Sequence, residues 1–350
     1  MGKLLFGRRV RISIGDMVVV DLDPRVSETI NEQRNLHVDF TCSSHAKPEP
    51  LVCTVRVRGL SAATRRKMTA LNDQARRIAW QRYQAVVVGD VLVEPEQVDE
   101  TAATLVSQGS TVIVEAGYDD DMGIIHRGIV LPDGLKHERG EGHYVTTINS
   151  QDNRLAWKNA FVSEEVAPGV SLVDYNKALR ISEQFLAGDV GGAEVEAQAP
   201  GLIERDLEVF GYENGKVTHG HTRDENEVLM DTLGLRPFLV NGAPFYLPID
   251  ALLYDDAVVL QEVPEDITIP SQGGVLDRTE LARGFQQVRC LLNHRLSAGR
   301  QVVLLDELGR PISTGRFRVE HAEHAGSTYS LNYYSVVTLR PTTILPQANF

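Results

Sequence analysis

An α+β chain that is mainly β is predicted, with like sheets towards its two ends and a small α/β module between them. Three observations carry this reading. Apolar residues alternate with period two in both terminal parts, the order of elements in the first part recurs in the last, and helical spacing is confined to one early segment and the middle. A chain of 350 residues has room for two or three domains, and 42% hydrophobic with 24% charged residues is the usage of an ordinary folded protein. Boundaries are expected at 1–155, 156–250 and 251–350.

Strands are expected first over Arg9 to Val20, where Val10, Ile12 and Ile14 alternate with Arg11 and Ser13. Leu36 to Cys42 alternates again, and Leu51 to Arg58 places Leu51, Cys53, Val55 and Val57 on one side. The stretch between them, with Pro48 and Pro50, reads as loop because proline cannot donate to a sheet ladder. Ser61 is placed to cap a helix in which Met68, Leu71, Ala75 and Ile78 recur at helical spacing, while Arg65, Arg66, Lys67, Arg76 and Arg77 fill a solvated face. Ala85 to Val93 reads as a hairpin turning at Gly89-Asp90 or as one interrupted strand. Thr111 to Tyr118, Ile124 to Leu131 and Tyr144 to Asn149 complete a sheet.

The middle differs in period. Leu172, Tyr175, Leu179, Ser182 and Leu186 mark a helix, Val190 to Gly201 a linker, and Glu225 to Leu233 a second short helix. Phe238 to Leu247 reads as a hairpin, since Asn241-Gly242 accepts the positive φ of a type I′ turn. The last quarter returns to strands: Val288 to Asn293, Gln301 to Leu305, Gly315 to His324 and Thr328 to Leu339. In the last, Tyr329, Leu331, Tyr333, Val337 and Leu339 are expected on one face.

The repeat follows the order of pieces more closely than their residues. Gly59-Leu60-Ser61-Ala62, strand 112–118, an acidic turn, strand 125–130 and a strand from His143 are echoed by Arg295-Leu296-Ser297-Ala298, strand 301–305, the turn at Asp306-Glu307, Ser313 to Phe317 and a strand from Thr328.

Several chemistries are excluded or unsupported. A net charge of −13 argues against a nucleic-acid-binding surface, which requires a basic face. Cys42, Cys53 and Cys290 form no C-x-x-C pair and read as buried free thiols. Apolar runs near Lys3, Arg8, Arg9 and Arg11 are too short for a signal peptide, and no run approaches a membrane span, so cytosolic synthesis and no membrane insertion are expected. His219 and His221, with Asp224 and Glu225 nearby, have a spacing that metal sites use, but an exposed polar loop is the plainer reading. His321 and His324 would face opposite sides of a strand, and His37 and His294 stand alone. Acidic pairs such as Asp255-Asp256 and Glu164-Glu165, and the run Asp119 to Asp121, read as solvated turns. No nucleophile elbow or phosphate loop occurs. No catalytic, cofactor-binding or metal residue is nominated, no cofactor is expected, and the chain is not expected to be an enzyme.

The phrases Val288-x-Cys290-Leu291-Leu292-Asn293, Leu296-x-x-Gly299 and Gly315-Arg316-Phe317-Arg318-Val319-x-His321-Ala322-Glu323-His324, followed by a long final strand, resemble the closing barrel of baseplate hub proteins of contractile-tailed phages. Thr111 to Tyr118 with Gly123 to Val130 is similar to the hairpin of hub N-terminal barrels, departing from it in having His126-Arg127 where an aromatic residue usually precedes the glycine. The resemblance covers both ends, about half of the chain. It implies two similar tube-type β-barrels with an outer arm module. It further implies a homotrimer whose pseudo-sixfold ring adapts a sixfold tail tube to a threefold central spike. Expected partners are the spike, the tail tube or a tube initiator, baseplate wedge proteins and the tape-measure protein. DNA would pass the lumen without specific binding, and the protein would lie in the virion tail baseplate after assembly in the bacterial host cytoplasm. Two other classes remain open: a tail-associated receptor- or polysaccharide-binding protein, for which Trp80 and Trp157 offer few exposed aromatics, and a metal-dependent tail hydrolase using His219 and His221.

Overall fold

Valine and isoleucine alternating with arginine and serine lay the N-terminal residues down as a hairpin, β1 (Arg8–Ile14) and β2 (Met17–Leu22). It turns at Gly15, whose φ of 54° suits a residue without a Cβ. The computed structural model describes residues 7–23, 36–45, 51–90, 109–118, 121–140, 142–152, 161–169, 216–221, 224, 228, 235–240, 243–248, 257–262, 274–330 and 332–342. Next come β3 (His37–His45) and β4 (Val52–Arg58), then α1 (Ala62–Asp90), β5 (Thr111–Tyr118), β6 (Asp121–Arg139) and β7 (Tyr144–Gln151). Ile12, Ile14, Val38, Val55, Val57, Val112 and Val114 are buried, as the alternation requires.

Ser61 caps α1: its Oγ accepts the N–H of Thr64 at 3.0 Å, and Met68 is buried beneath the helix. The helix continues through Asp90, which corrects the hairpin or strand expected from Ala85. Three adjacent valines disfavour helix by only a few tenths of a kcal/mol each, roughly, and a nucleated helix propagates through them. β6 is also longer than expected. Pro132-Asp133-Gly134 looks like a strand end but is absorbed as a bulge between Val130 and Leu135, with Asp133 at φ 56°.

In the middle, β8 (Phe161–Val166) pairs with β9 (Lys216–His221), and β10 (Leu235–Val240) pairs with β11 (Ala243–Pro248). The second pair is the hairpin that Asn241-Gly242 predicts. The first pair was not foreseen, and it places His219 and His221 in a strand rather than a loop. The helix expected over 172–186 and the linker over 190–201 lie outside the described residues, as does nearly all of the segment 225–233.

The C-terminal strands are β12 (Ala257–Glu262), β13 (Gly274–Glu280), β14 (Gln286–Leu291), β15 (Gln301–Leu305), β16 (Pro311–Ser327) and β17 (Tyr333–Pro341). They close on themselves in the order β15-β12-β13-β14-β17-β16-β15 around Leu260, Val288, Leu304, Phe317, Val337 and Leu339. β17 starts five residues later than expected: Tyr329 is 59% exposed in the turn before it, where Tyr329 and Ser330 donate backbone N–H groups to Ser327 Oγ. From Tyr333 on, the inward face is Tyr333, Ser335, Val337 and Leu339.

The N-terminal strands run β3-β4-β7-β6-β5-β1-β2 and wrap a second core containing both Val20 of β2 and Phe40 of β3, the two ends of that order. Within the two parts, the runs β3-β4-β7-β6-β5 and β13-β14-β17-β16-β15 have the same order and the same antiparallel senses. The connection from the second to the third strand in sequence is α1 and its flanks in one half (β4 to β5) and the turn 292–300 in the other (β14 to β15). The fold is therefore mainly β, with a closed barrel and a second sheet built on the same five-strand plan.

The cysteines correct the sequence reading. Cys42 and Cys53 face each other across β3 and β4 with Cα atoms 4.1 Å apart and are joined as a disulfide, while Cys290 is a buried free thiol. Two inward positions brought into register across a short loop make this pair, and spacing alone does not show register.

Candidate functional site

Buried polar groups of both halves, among them Arg8, His126, Asp152, His324 and Ser335, lie along the seam between the two cores. The seam is made by one strand. The first half of β16 pairs with β15 and closes the C-terminal barrel, with Gln301 opposite Arg318. The second half leaves that barrel's edge and pairs with β3, His321 opposite His45 through Ser327 opposite Asp39. All thirteen strands so form one continuous sheet.

At one end of the seam Tyr333 fills the space between the sheets. Its hydroxyl donates to the carbonyl of Arg9 at 2.6 Å and accepts the N–H of Gly117, while Tyr118 Oη donates to the Tyr333 carbonyl at 3.1 Å. The Tyr333 ring meets Phe40 and Tyr118 edge-on, with centroids 5.9 and 5.3 Å away, the geometry that aromatic quadrupoles favour. Arg8 donates to the carbonyls of Ser327 and Ser330 and lies over the Tyr333 ring. Burial pushes the Tyr118 phenol up to about 12 and Tyr333 higher still, so both stay protonated and can donate.

The other end holds a cleft of about 390 Å³ lined by residues of both halves, including Ser44, His126, Asp152, His294, Arg300 and His324. Asp121 at the β5–β6 turn receives Arg295 at 3.2 Å, and His294 lies 3.9 Å from it, so the turn after β14 is clamped to the N-terminal sheet. Gly123 permits this approach, because a Cβ there would meet His294 Cδ2 at 2.1 Å. His126 and His324 are buried and held neutral, each lowered by desolvation to about 4. His126 Nε2 pairs with Ser150 Oγ at 2.9 Å.

His324 is one member of a duplicated pair. Its Nδ1 lies 2.8 Å from Oγ of Ser335, its cross-strand partner on β17, and its Nε2–H donates to the Leu296 carbonyl at 3.0 Å. In the first half His137 Nδ1 lies 3.0 Å from Oγ1 of Thr146, its cross-strand partner on β7, and Nε2 faces Thr69 of α1 at 3.2 Å. In both halves, then, one histidine nitrogen binds a hydroxyl on the neighbouring strand and the other binds the connection between the second and third strands of its unit. By its spacing His324 is a strand residue facing away from His321, and no local pattern in the sequence marks His137. The signal that finds them is the repeat itself, once strand pairing fixes the alignment.

The chemistry of the seam is packing and hydrogen bonding. Among the described residues no group of three or more histidine, cysteine, aspartate or glutamate side chains could hold a metal ion. The structure places His219 and His221 two apart on β9, opposite Ser163 and Phe161. Asp121 is used in the ion pair above, and neither Asp255-Asp256 nor Asp119-Asp120 falls within the described residues.

No protein-family model matches the chain, and no curated protein matches its sequence. Solved structures do. A tail protein from Neisseria meningitidis is 10% identical, covers 95% of this chain and 96% of its own, and superposes with a TM-score of 0.50. The 43 kDa tail protein of prophage MuSo2 from Shewanella oneidensis is 8% identical over 95% of this chain and 98% of its own, with a TM-score of 0.47. A component of the Escherichia coli type VI secretion system is 8% identical over 88% of this chain and 74% of its own, with a TM-score of 0.44. At these identities the Neisseria tail protein shows a shared fold along nearly the whole chain.

Proposed function

We propose that this protein is a structural component of a contractile tail: a baseplate hub that assembles as a homotrimer and adapts a sixfold tube to a threefold spike. The observation that carries the reading is the pair of five-strand sheets of identical order, joined edge to edge by β16 within one chain. Two like units per chain let three chains present six similar faces on one side and three on the other. The fold shared with a tail protein supports the setting.

On this reading the partners are the central spike, the tail tube or its initiator, wedge proteins around the ring and the tape-measure protein in the lumen. DNA passes without specific binding, which suits a chain of net charge −13. The function is mechanical, the chain is not an enzyme, and its place is the tail baseplate after assembly in the host cytoplasm. Averaged electron-microscope images of the purified protein test this: rings with three chains and a sixfold outline are expected, and separate single-chain particles would refute it.

A further inference from the structure

We infer that the last residues of β6, Leu135–Arg139, lie antiparallel along β13 of a second copy of this chain, with His137 opposite Glu280. This deepens the ring reading and rests on it. The duplication leaves one seam made and its counterpart open. Inside the chain the tail of β16 lies on β3. The equivalent of the β16 tail is the end of β6, and the equivalent of β3 is β13; among the described residues no strand pairs with either on its outer side over these positions. β6 pairs with β5 only as far as Ile129, and β12 touches β13 only at Gly274 and Val275. Lys136, Glu138, Arg139, Asp277, Thr279 and Glu280 are exposed. Open edges of this kind invite pairing with another chain.

The register follows from pairings on the page. His137 stands where His324 stands, since each faces a hydroxyl across the adjoining strand. Asp39 opposite Arg56 in the first half corresponds to Asp277 opposite Arg289 in the second, so Phe40 corresponds to Arg278, Thr41 to Thr279 and Cys42 to Glu280. In the closed seam His324 faces Cys42 and Gly326 faces Phe40. Transferred to the open one, His137 faces Glu280, Glu138 faces Thr279 and Arg139 faces Arg278, with Glu280 diagonal to Arg139 and able to balance it.

Backbone direction gives an independent check. Successive residues of a strand turn their N–H and C=O groups to opposite sides. The N–H of Gly140 is directed to the carbonyl of His143 on the β7 side, so Leu135, His137 and Arg139 present their groups to the open edge. The N–H of Leu281 is directed to Phe285 on the β14 side, so Arg278 and Glu280 present theirs outward. The residues that the repeat sets opposite each other are the ones with outward backbone groups on both strands. A one-residue error in the alignment would have put outward groups against inward ones.

Repeating the seam gives a head-to-tail contact that joins each chain's first half to the next chain's second half, and with a threefold rotation between copies such a contact closes into a ring. The test uses the full chain carrying Glu138→Cys and Thr279→Cys together. That pair is non-hydrogen-bonded, with Cα atoms about 4.5 Å apart, within reach of a disulfide. Under mild copper-phenanthroline oxidation the double variant is expected to run as a covalent trimer on a non-reducing denaturing gel, while each single variant runs as a monomer. Native mass is measured alongside. Trimers by native mass without the cross-link would overturn this seam and leave the ring reading intact. Monomers by native mass and on the gel would overturn both. Cross-linking in either single variant would show a two-fold contact instead and overturn the seam.

Discussion

His126 and His324 are the residues where burial has its most measurable consequence. Both are held as neutral imidazoles, with folded values near 4 against an ordinary 6.5. The unfolded chain therefore binds more protons between these values, and their contribution to stability is complete above pH 6.5 and is lost as the pH falls towards 4. Urea unfolding at pH 5 should show a loss relative to pH 7 on the order of 2 kcal/mol for each ring. Equal stabilities at the two pH values would mean that the rings are not desolvated as described. Gly326 is a second sensitive residue, because a Cβ there would meet Phe40 Cζ at 2.2 Å. Gly326→Ala should destabilise by about 1–3 kcal/mol, and Phe40→Leu in the same chain should restore part of the loss by making room. Thermal unfolding of the three variants checks this, and an additive double variant would contradict the contact.

Among the elements, β16 and β17 carry the seam, and Tyr333 is its fixed point. Tyr333→Phe keeps the ring stacking against Phe40 and Tyr118 but removes the hydroxyl that bridges β1 and β5. A loss of about 1–3 kcal/mol is expected in denaturant unfolding, and no change would mean that water replaces the hydroxyl. Much of this element structure is legible in the sequence, because β1, β4, β5, β7 and β14 each bury every second residue. β12 is not legible. Its partners β13 and β15 are parallel to it, so no tight turn announces the pairing, and Ala257-Val258-Val259-Leu260 is too short a run to distinguish by period. The bulge in β6 was hidden for the opposite reason, since Pro132-Asp133-Gly134 carries a turn signal that the strand overrides. The seam itself was legible only as a repeated order of pieces. Its chemistry, the matched pairs His137–Thr146 and His324–Ser335, depends on register, which an alignment of pieces does not fix.

For the whole molecule, the decisive property is that a sheet of thirteen strands has been built from two like halves and, among the described residues, still has complementary open edges. In the proposed ring a second copy satisfies them, and the assembled state then depends on protomer concentration. Native mass spectrometry across a dilution series is the most direct measurement. A species of three times 38.7 kDa that gives way to monomer on dilution is predicted. A monomer persisting at every concentration, or a dimer, would contradict the account.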